Sequence, residues 1–373
     1  MILLRVLGAL GVFATLIYAA QTHAQNKQPQ MQIGGLIGSI QIRSAIDVAS
    51  LPRGRVHRFY LPAGRMPTGQ NWLVPVVIIR GKTDGPKFLV TAAVHGDELN
   101  GIGVAHKLID QITPDALAGT LTVLPSVNIP GILAGTRNLP ATDYTGAGVN
   151  LNRQMPGSAK ARNAGSRYAH AIWRGALQGN ADFAVDVHTQ STGTSYPMYV
   201  FADYRQTGVE EMATLLGPHM IKIDTGQKGT VETALNEVGV PTVTLEIGAA
   251  NVFEYPLIHR AVAGIKRLMA ARGMLPGYTP LPIETPPIIG NDTVAVEAVV
   301  PGVVIRSKFL LDAVNQGDEV AVSVDPFGRV IKRYTAPVSG TIAAVAVHPI
   351  RQEGALIVRI LTLNTRRSCR NGC

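Results

Sequence analysis

Cysteine is nearly absent: of 373 residues only Cys369 and Cys373 are cysteines, both among the last five positions. That excludes a disulfide scaffold, a Cys-rich zinc module and thiol catalysis, and leaves one small local disulfide in an oxidising compartment as their natural use. Aromatic residues are also few, at 5%, and the Lys and Arg are scattered and low in aromatic neighbours. That argues against the stacking platforms of nucleic-acid binders. Long apolar runs are missing too, except Val6 to Ala20, which is shorter than the roughly 20 residues that a spanning helix needs. A polytopic membrane protein is thereby excluded. Acidic residues fall short of basic ones, 25 against 34, for a formal charge of +9. With one basic cluster, Arg366, Arg367 and Arg370, that balance reads as the solvated surface of an exported protein, with no nucleic-acid partner. What is plentiful is apolar residues, 46% of the chain, enough for one large domain and a smaller one.

The apolar run follows Arg5 and precedes Thr22-His23-Ala24, the pattern of a secretory signal cut after Ala24; an uncleaved N-terminal anchor is the alternative. Residues 1–24 are thus expected to be a signal peptide, residues 25–37 a loose leader, and the mature chain periplasmic or secreted without stable membrane insertion. Trp72 to Arg80 and Lys87 to Val94 are apolar β-branched runs flanking Thr83-Asp84-Gly85-Pro86, and are expected to be adjacent strands joined by a turn. Helical spacing over Leu99 to Ile112, and further helices and strands alternating to Ala271, predict an α/β catalytic domain over 38–275 with a mixed, mostly parallel sheet flanked by helices. A proline-rich linker, 276–288, precedes a glycine-punctuated Val/Ile region, 289–363, expected to be a small all-β domain, and a basic tail, 364–373, carries both cysteines.

Four pieces carry chemistry. His95-Gly96-Asp97-Glu98 follows a buried strand and opens a helix, so that His95 and Glu98, three residues apart, can face one metal ion. His188 ends the strand Asp182 to Val187, and residues just past strand carboxyl ends gather in one crevice of an open α/β sheet. Taken singly, it equally fits a satisfied buried histidine. Glu246, at the end of Thr242-Val243-Thr244-Leu245, is a carboxylate that is costly to bury without a partner, and a candidate general base; a structural salt bridge is its other reading. The glycine-rich stretch from Asn128 to Gly157 contains Arg137, Asn152 and Arg153, donors suited to an oxyanion and a substrate carboxylate; solvated loop arginines are the alternative. The remaining histidines have no partner at ligand spacing.

In this order, HxxE, Arg, Asn-Leu-Asn-Arg, Asp-Val-His-Thr and a strand-terminal Glu before Ile-Gly, the chain resembles the zinc carboxypeptidase superfamily, and within it the aspartoacylase/succinylglutamate desuccinylase family. The resemblance runs from about residue 40 to 363. It implies one zinc ion per chain on His95, Glu98 and His188, Glu246 as general base and acid, Arg137 polarising the scissile carbonyl, and Asn152 with Arg153 holding a substrate carboxylate. Asn150, where many members have Asp, and Met155, where Phe is common, depart from the pattern; the departures are expected to touch loop packing more than chemistry. The stretch Tyr334 to Ile342 resembles barrel-sandwich modules of the biotinyl/lipoyl type, without the lysine those carriers modify. The implied activity is an exported zinc amidohydrolase acting on small N-acyl amino acids or N-acyl amines. The alternative is a zinc carboxypeptidase or cell-wall peptide amidase of the same superfamily; a non-catalytic binding protein is the reading from another class.

Overall fold

The computed structural model describes residues 35–140 and 148–373. The signal peptide, all but the last residues of the leader, and Asp143 of the glycine-rich stretch lie outside them. The catalytic part of the main sheet contains, among the described residues, β1 (Arg55–Arg65), β2 (Asn71–Arg80), β3 (Thr83–Ala92), β4 (Ala118–Leu124), β5 (Phe183–His188), β6 (Thr194–Ala202), β7 (Met220–Ile223) and β8 (Thr242–Ala249). They run in the order β1-β2-β4-β3-β5-β8-β6-β7. The central four, β4, β3, β5 and β8, are parallel, while β1, β2 and β6 run antiparallel to a neighbour. The sheet is therefore mixed with a parallel heart.

Both faces are covered, which is why β2, the second half of β3 and β5 are mostly apolar. On one face Val77, Ile79, Phe88 and Val90 pack under α1 (Asn100–Gln111), α4 (Val209–Leu215) and α6 (Tyr255–Ala271). On the other, Val76, Ile78 and Leu89 pack under α3 (Ala164–Ile172) and α5 (Val231–Glu237). A short helix, α2 (Ile129–Ala134), starts with Asn128 accepting from the Gly131 amide. Among the described residues no helix is long and apolar enough to cross a membrane.

One expectation fails here. The runs taken as adjacent strands are not paired: β4 lies between β2 and β3, antiparallel to the first and parallel to the second. Small residues admit it. The Gly81 amide donates to the Gly119 carbonyl at 2.9 Å, and Gly119 has φ +91°, where a Cβ would lie 2.2 Å from the Pro86 carbonyl oxygen. The Asp-Gly-Pro signal is absorbed in a register shift at the start of β3. The leader is not loose to its end either, because Leu36–Ile37 pairs with Ile40–Ile42.

Beyond α6, Ile288–Gly290 at the end of the proline-rich segment pairs parallel with β7. The C-terminal region is antiparallel. One layer contains Asp292–Glu297, Gly340–Ala346 and Leu356–Thr362; the other contains Gly302–Arg306, Glu319–Val324, Val330–Thr335 and Ile350–Arg351. They share a core of Val296, Val304, Val320, Tyr334, Ile342, Ile357 and Ile360. The first layer continues the catalytic sheet, since Val345 and Ala346 pair with Ser195 and Thr194 of β6. Cys369 and Cys373 are disulfide-bonded, and the turn they close docks on Asn291, whose side-chain amide donates to the Cys369 and Asn364 carbonyls.

Candidate active site and metal centre

The carboxyl ends of β3, β5 and β8, neighbours in the sheet, deliver the principal groups to one place. Past β3 the chain turns through Ala93, at φ +52°, and Gly96 packs so closely on α2 that a Cβ there would lie 2.1 Å from the Gly131 carbonyl carbon. This tight turn aims His95 and Glu98 back over β5, whose last residue is His188.

The three side chains are buried, and one ligating atom from each lies within 4.8 Å of the others. Glu98 bridges the histidines: Oε1 is 2.8 Å from His95 Nδ1 and Oε2 is 2.7 Å from His188 Nδ1. The two Nδ1 atoms are themselves 3.2 Å apart. Each ring is steadied from behind, His188 Nε2 by Asp186 Oδ2 at 2.7 Å and His95 Nε2 by Asn150 Oδ1 at 3.1 Å. Outer partners of this sort fix the orientation of metal-ligating histidines. Burial opposes ionisation of Glu98, but the facing His95 and His188 more than offset it and hold the carboxyl well below its usual range. Burial also opposes charge on His188, where Asp186 and Glu98 prevail and raise its pKa well above the ordinary value. Two imidazole nitrogens and a carboxylate turned onto one buried point form an N/O donor set that fits a divalent transition ion such as zinc.

Asn150 corrects the sequence expectation. Its side chain touches the His95 ring and also accepts from the Asn152 amide at 3.0 Å. The departure from Asp therefore reaches a candidate metal ligand, not only the packing of the loop.

Glu246 lies on β8 level with His188 of β5 and Tyr199 of β6. Its Oε2 is buried with no hydrogen-bond partner among the described residues. Burial, and then the charge of Glu98, push its pKa up to about 8. Arg137 donates to Glu98 Oε1. Asn152 Oδ1 accepts from the Val231 amide at 3.0 Å, and Arg153 donates to the Asn152 carbonyl at 2.6 Å and to Gln227 Oε1. His95, His188, Arg137, Asn152, Arg153 and Glu246 all line one cavity of about 370 Å³; Glu98 is sealed behind it.

Sequence reasoning missed several groups lining that cavity: Tyr199 and Lys222 from β6 and β7, Glu232 from α5, and Thr293 and Arg359 from the C-terminal region. No local motif marks them, because the sheet and helix packing bring them in from distant segments. The Arg359 guanidinium donates to the Tyr196 hydroxyl at 3.3 Å.

Glu232 is fully buried, and burial, together with Asp224, Asp186 and Asp203, pushes it from 4.5 to about 8 against the stabilising Thr244 hydrogen bond. The folded chain then holds a proton that the unfolded chain releases between those values. Stability present at acid pH is lost as the pH rises through that window. Glu232→Gln carries no such proton, so its melting temperature relative to the parent is expected to rise from pH 5 to pH 8.5. Calorimetry at the two pH values checks this, and a pH-independent difference would contradict it.

The family model described as the succinylglutamate desuccinylase/aspartoacylase catalytic domain matches residues 84–272. Among curated proteins, the N-alpha-acetyl-L-2,4-diaminobutyric acid deacetylase of Halomonas elongata is 25% identical over 261 residues, 67% of this chain and 73% of the relative. Among solved structures, the product-bound ectoine utilization protein EutE (DoeB) of Ruegeria pomeroyi superposes with a TM-score of 0.72 at 23% identity, covering 84% of this chain and 98% of the other. A succinylglutamate desuccinylase/aspartoacylase of Rhodobacter sphaeroides does so with 0.71 at 19% identity, covering 86% and 98%. The two structures share the fold. With the family model spanning the segment that supplies His95, Arg137, Asn152, His188 and Glu246, this chain belongs to the succinylglutamate desuccinylase/aspartoacylase family.

Proposed function

We propose that this chain is an exported, zinc-dependent amidohydrolase that releases an amine from small N-acyl amino acids or related N-acyl amines. Its catalytic domain would then be a zinc-carboxypeptidase-like fold and its C-terminal layers a barrel-sandwich-like unit. The observation that carries the reading is the buried His95, Glu98 and His188 donor set beside Glu246, an acid that lines the same cavity and has one unpartnered oxygen. The Halomonas relative's name, a deacetylase of an N-acetylated amino acid, agrees with it.

His95, Glu98 and His188 would hold the ion, which supplies Lewis acidity toward water and a carbonyl oxygen. Glu246, half-buried in the cavity wall and with its pKa near neutrality, takes a proton from the attacking water and returns it to the departing amine; such transfer is efficient when the group's pKa lies near the working pH. Arg137 offers its guanidinium to the developing oxyanion, while Asn152 and Arg153 receive a substrate carboxylate. Arg137→Ala is expected to lower kcat by ~10²- to 10³-fold, the loss typical of one oxyanion donor, with zinc content unchanged; steady-state kinetics with metal analysis checks it.

Access favours small substrates. The cavity holds about 370 Å³, and Thr293 and Arg359 wall it from the C-terminal side. Export rests on the signal pattern ending at Ala24 and accords with the Cys369–Cys373 disulfide. The test is mass spectrometry of products after incubating the zinc-loaded chain from Gln25 onward with N-acyl amino acids and cell-wall peptides. Free amino acids from the N-acyl compounds alone support the deacylase; cleavage of the peptides alone transfers the chain to the peptidase reading.

A further inference from the structure

Thr91 is the one polar residue in the buried run from Phe88 to Val94, and a hydroxyl there is costly unless it finds a partner. Its register partner across the sheet is Asp186 of β5, whose other neighbour is Thr244 of β8. Paired residues on adjacent strands turn to one face, and so do residues i and i+2 of one strand. The two threonines and Asp186 therefore share the face that carries His188. The hydroxyls serve different acceptors. Thr244 donates to Glu232 Oε2 at 2.6 Å, whereas Thr91 donates to Asp186 Oδ1 at 2.6 Å. The other oxygen of Asp186, Oδ2, lies 2.7 Å from His188 Nε2.

A chain of contacts results, from Thr91 through Asp186 and His188 to Glu98, and every member of it is buried. Among the described residues no other side chain hydrogen-bonds to Asp186. A carboxylate only accepts, so the ring nitrogen that faces it is the N–H donor. That leaves Nδ1, across the ring and 2.7 Å from Glu98 Oε2, as the ligating atom. Each oxygen of Asp186 has one side-chain partner. Without the Thr91 hydroxyl the carboxylate keeps a single such contact about which to swing, and Oδ1 becomes a buried acceptor short of a donor, at the cost of its desolvation. Both effects reach the ring through Oδ2. His95 is backed differently: the Asn150 oxygen that meets its Nε2 also accepts from the Asn152 amide, and Asn150 is half-buried in a loop. The firm side of the donor set is His188, braced by two central strands.

We propose that Thr91 is a positioning residue of the metal centre: its hydroxyl locks the Asp186 carboxylate and, through it, holds the His188 ring with Nδ1 turned toward Glu98 and His95. The assignment rests on the zinc reading and goes beyond it. Thr91 belongs to none of the sequence motifs, hydrogen-bonds to none of the three candidate ligands and does not line the cavity.

The test is the zinc Kd of the chain, measured by competition with a chromogenic chelator. Thr91→Val keeps the shape of the side chain and removes the hydroxyl. It is expected to weaken zinc binding by ~10-fold, the lower end of what outer partners of ligand histidines supply, while Thr91→Ser keeps the parent's affinity. Asp186→Ala is expected to weaken binding as well, and Thr91→Val added to it to change nothing more, because the hydroxyl acts only through Asp186. Should Thr91→Val not fold, Thr91→Ala takes its place with the same expectation. A role in packing alone would lower the melting temperature of the metal-free chain and leave Kd unmoved. An unchanged Kd in Thr91→Val, an equal loss in Thr91→Ser, or a full further loss in the double variant overturns the proposal and leaves the zinc reading standing. If the parent takes up no zinc, the zinc reading falls, and exchange of the His188 Nε2 proton with water, followed by NMR, decides the role of Thr91. Faster exchange in Thr91→Val than in the parent and Thr91→Ser upholds it, and equal rates in all three refute it.

Discussion

Glu246→Gln is expected to lower kcat by ~10³-fold, within the range that a positioned general acid–base supplies, while the bound zinc per chain stays at the parent's level. The substitution keeps the shape of the side chain and removes only its ability to accept and return a proton. The site geometry separates this role from metal binding: Glu246 stands on β8, outside the cluster in which Glu98 joins His95 and His188. Its unpartnered Oε2 and its pKa of about 8 suit a group that exchanges a proton near neutral pH. Kinetics paired with metal analysis on the same sample tests the assignment. Unchanged turnover would remove Glu246 from the mechanism, and loss of zinc would make it a ligand instead.

The second large effect is expected on chelation. Removing the metal should abolish turnover and lower the melting temperature by several degrees, and added zinc should restore both. Ligand binding to the native state alone stabilises by about 2.7 kcal/mol at a hundredfold excess over Kd. The buried cluster sharpens the effect, because Glu98 is fully enclosed and its countercharge then comes from the histidines and Arg137. His188→Ala should mimic chelation irreversibly: it deletes one ligand and leaves Asp186 and Glu98 each short of a buried partner, a loss of about 3–5 kcal/mol for a broken buried pair. Differential scanning calorimetry with and without chelator reads both. An unaltered melting temperature with no bound metal before treatment would point to the binding-protein reading.

Much of this site was legible in the order of residues. His95 and Glu98 are three apart after an apolar strand, and His188 and Glu246 each end one. Strand carboxyl ends converge in a parallel sheet, so local pattern was enough to place these residues near one another. The helices were legible for the same reason, because α1 and α6 bury one face at helical spacing.

Pairing was not legible. Nothing local in the run from Trp72 to Val94 announces that β4 enters between its two strands; that depends on the close approach of Gly81 and Gly119, residues 38 apart along the chain. The continuation of the catalytic sheet into the C-terminal layer likewise joins Ser195 to Val345. The same non-local packing decides how the cavity is lined. Glu232 meets Thr244 because α5 folds back over β8, Tyr199 faces Glu246 because β6 runs antiparallel to β8, and Arg359 arrives from the far end of the chain. Sequence by itself therefore determined the candidate metal-binding and proton-transfer residues, which sit in short motifs at element ends. Tertiary structure decided the shape and charge of the cavity that these residues line, because those arise from contacts between segments that share no local pattern.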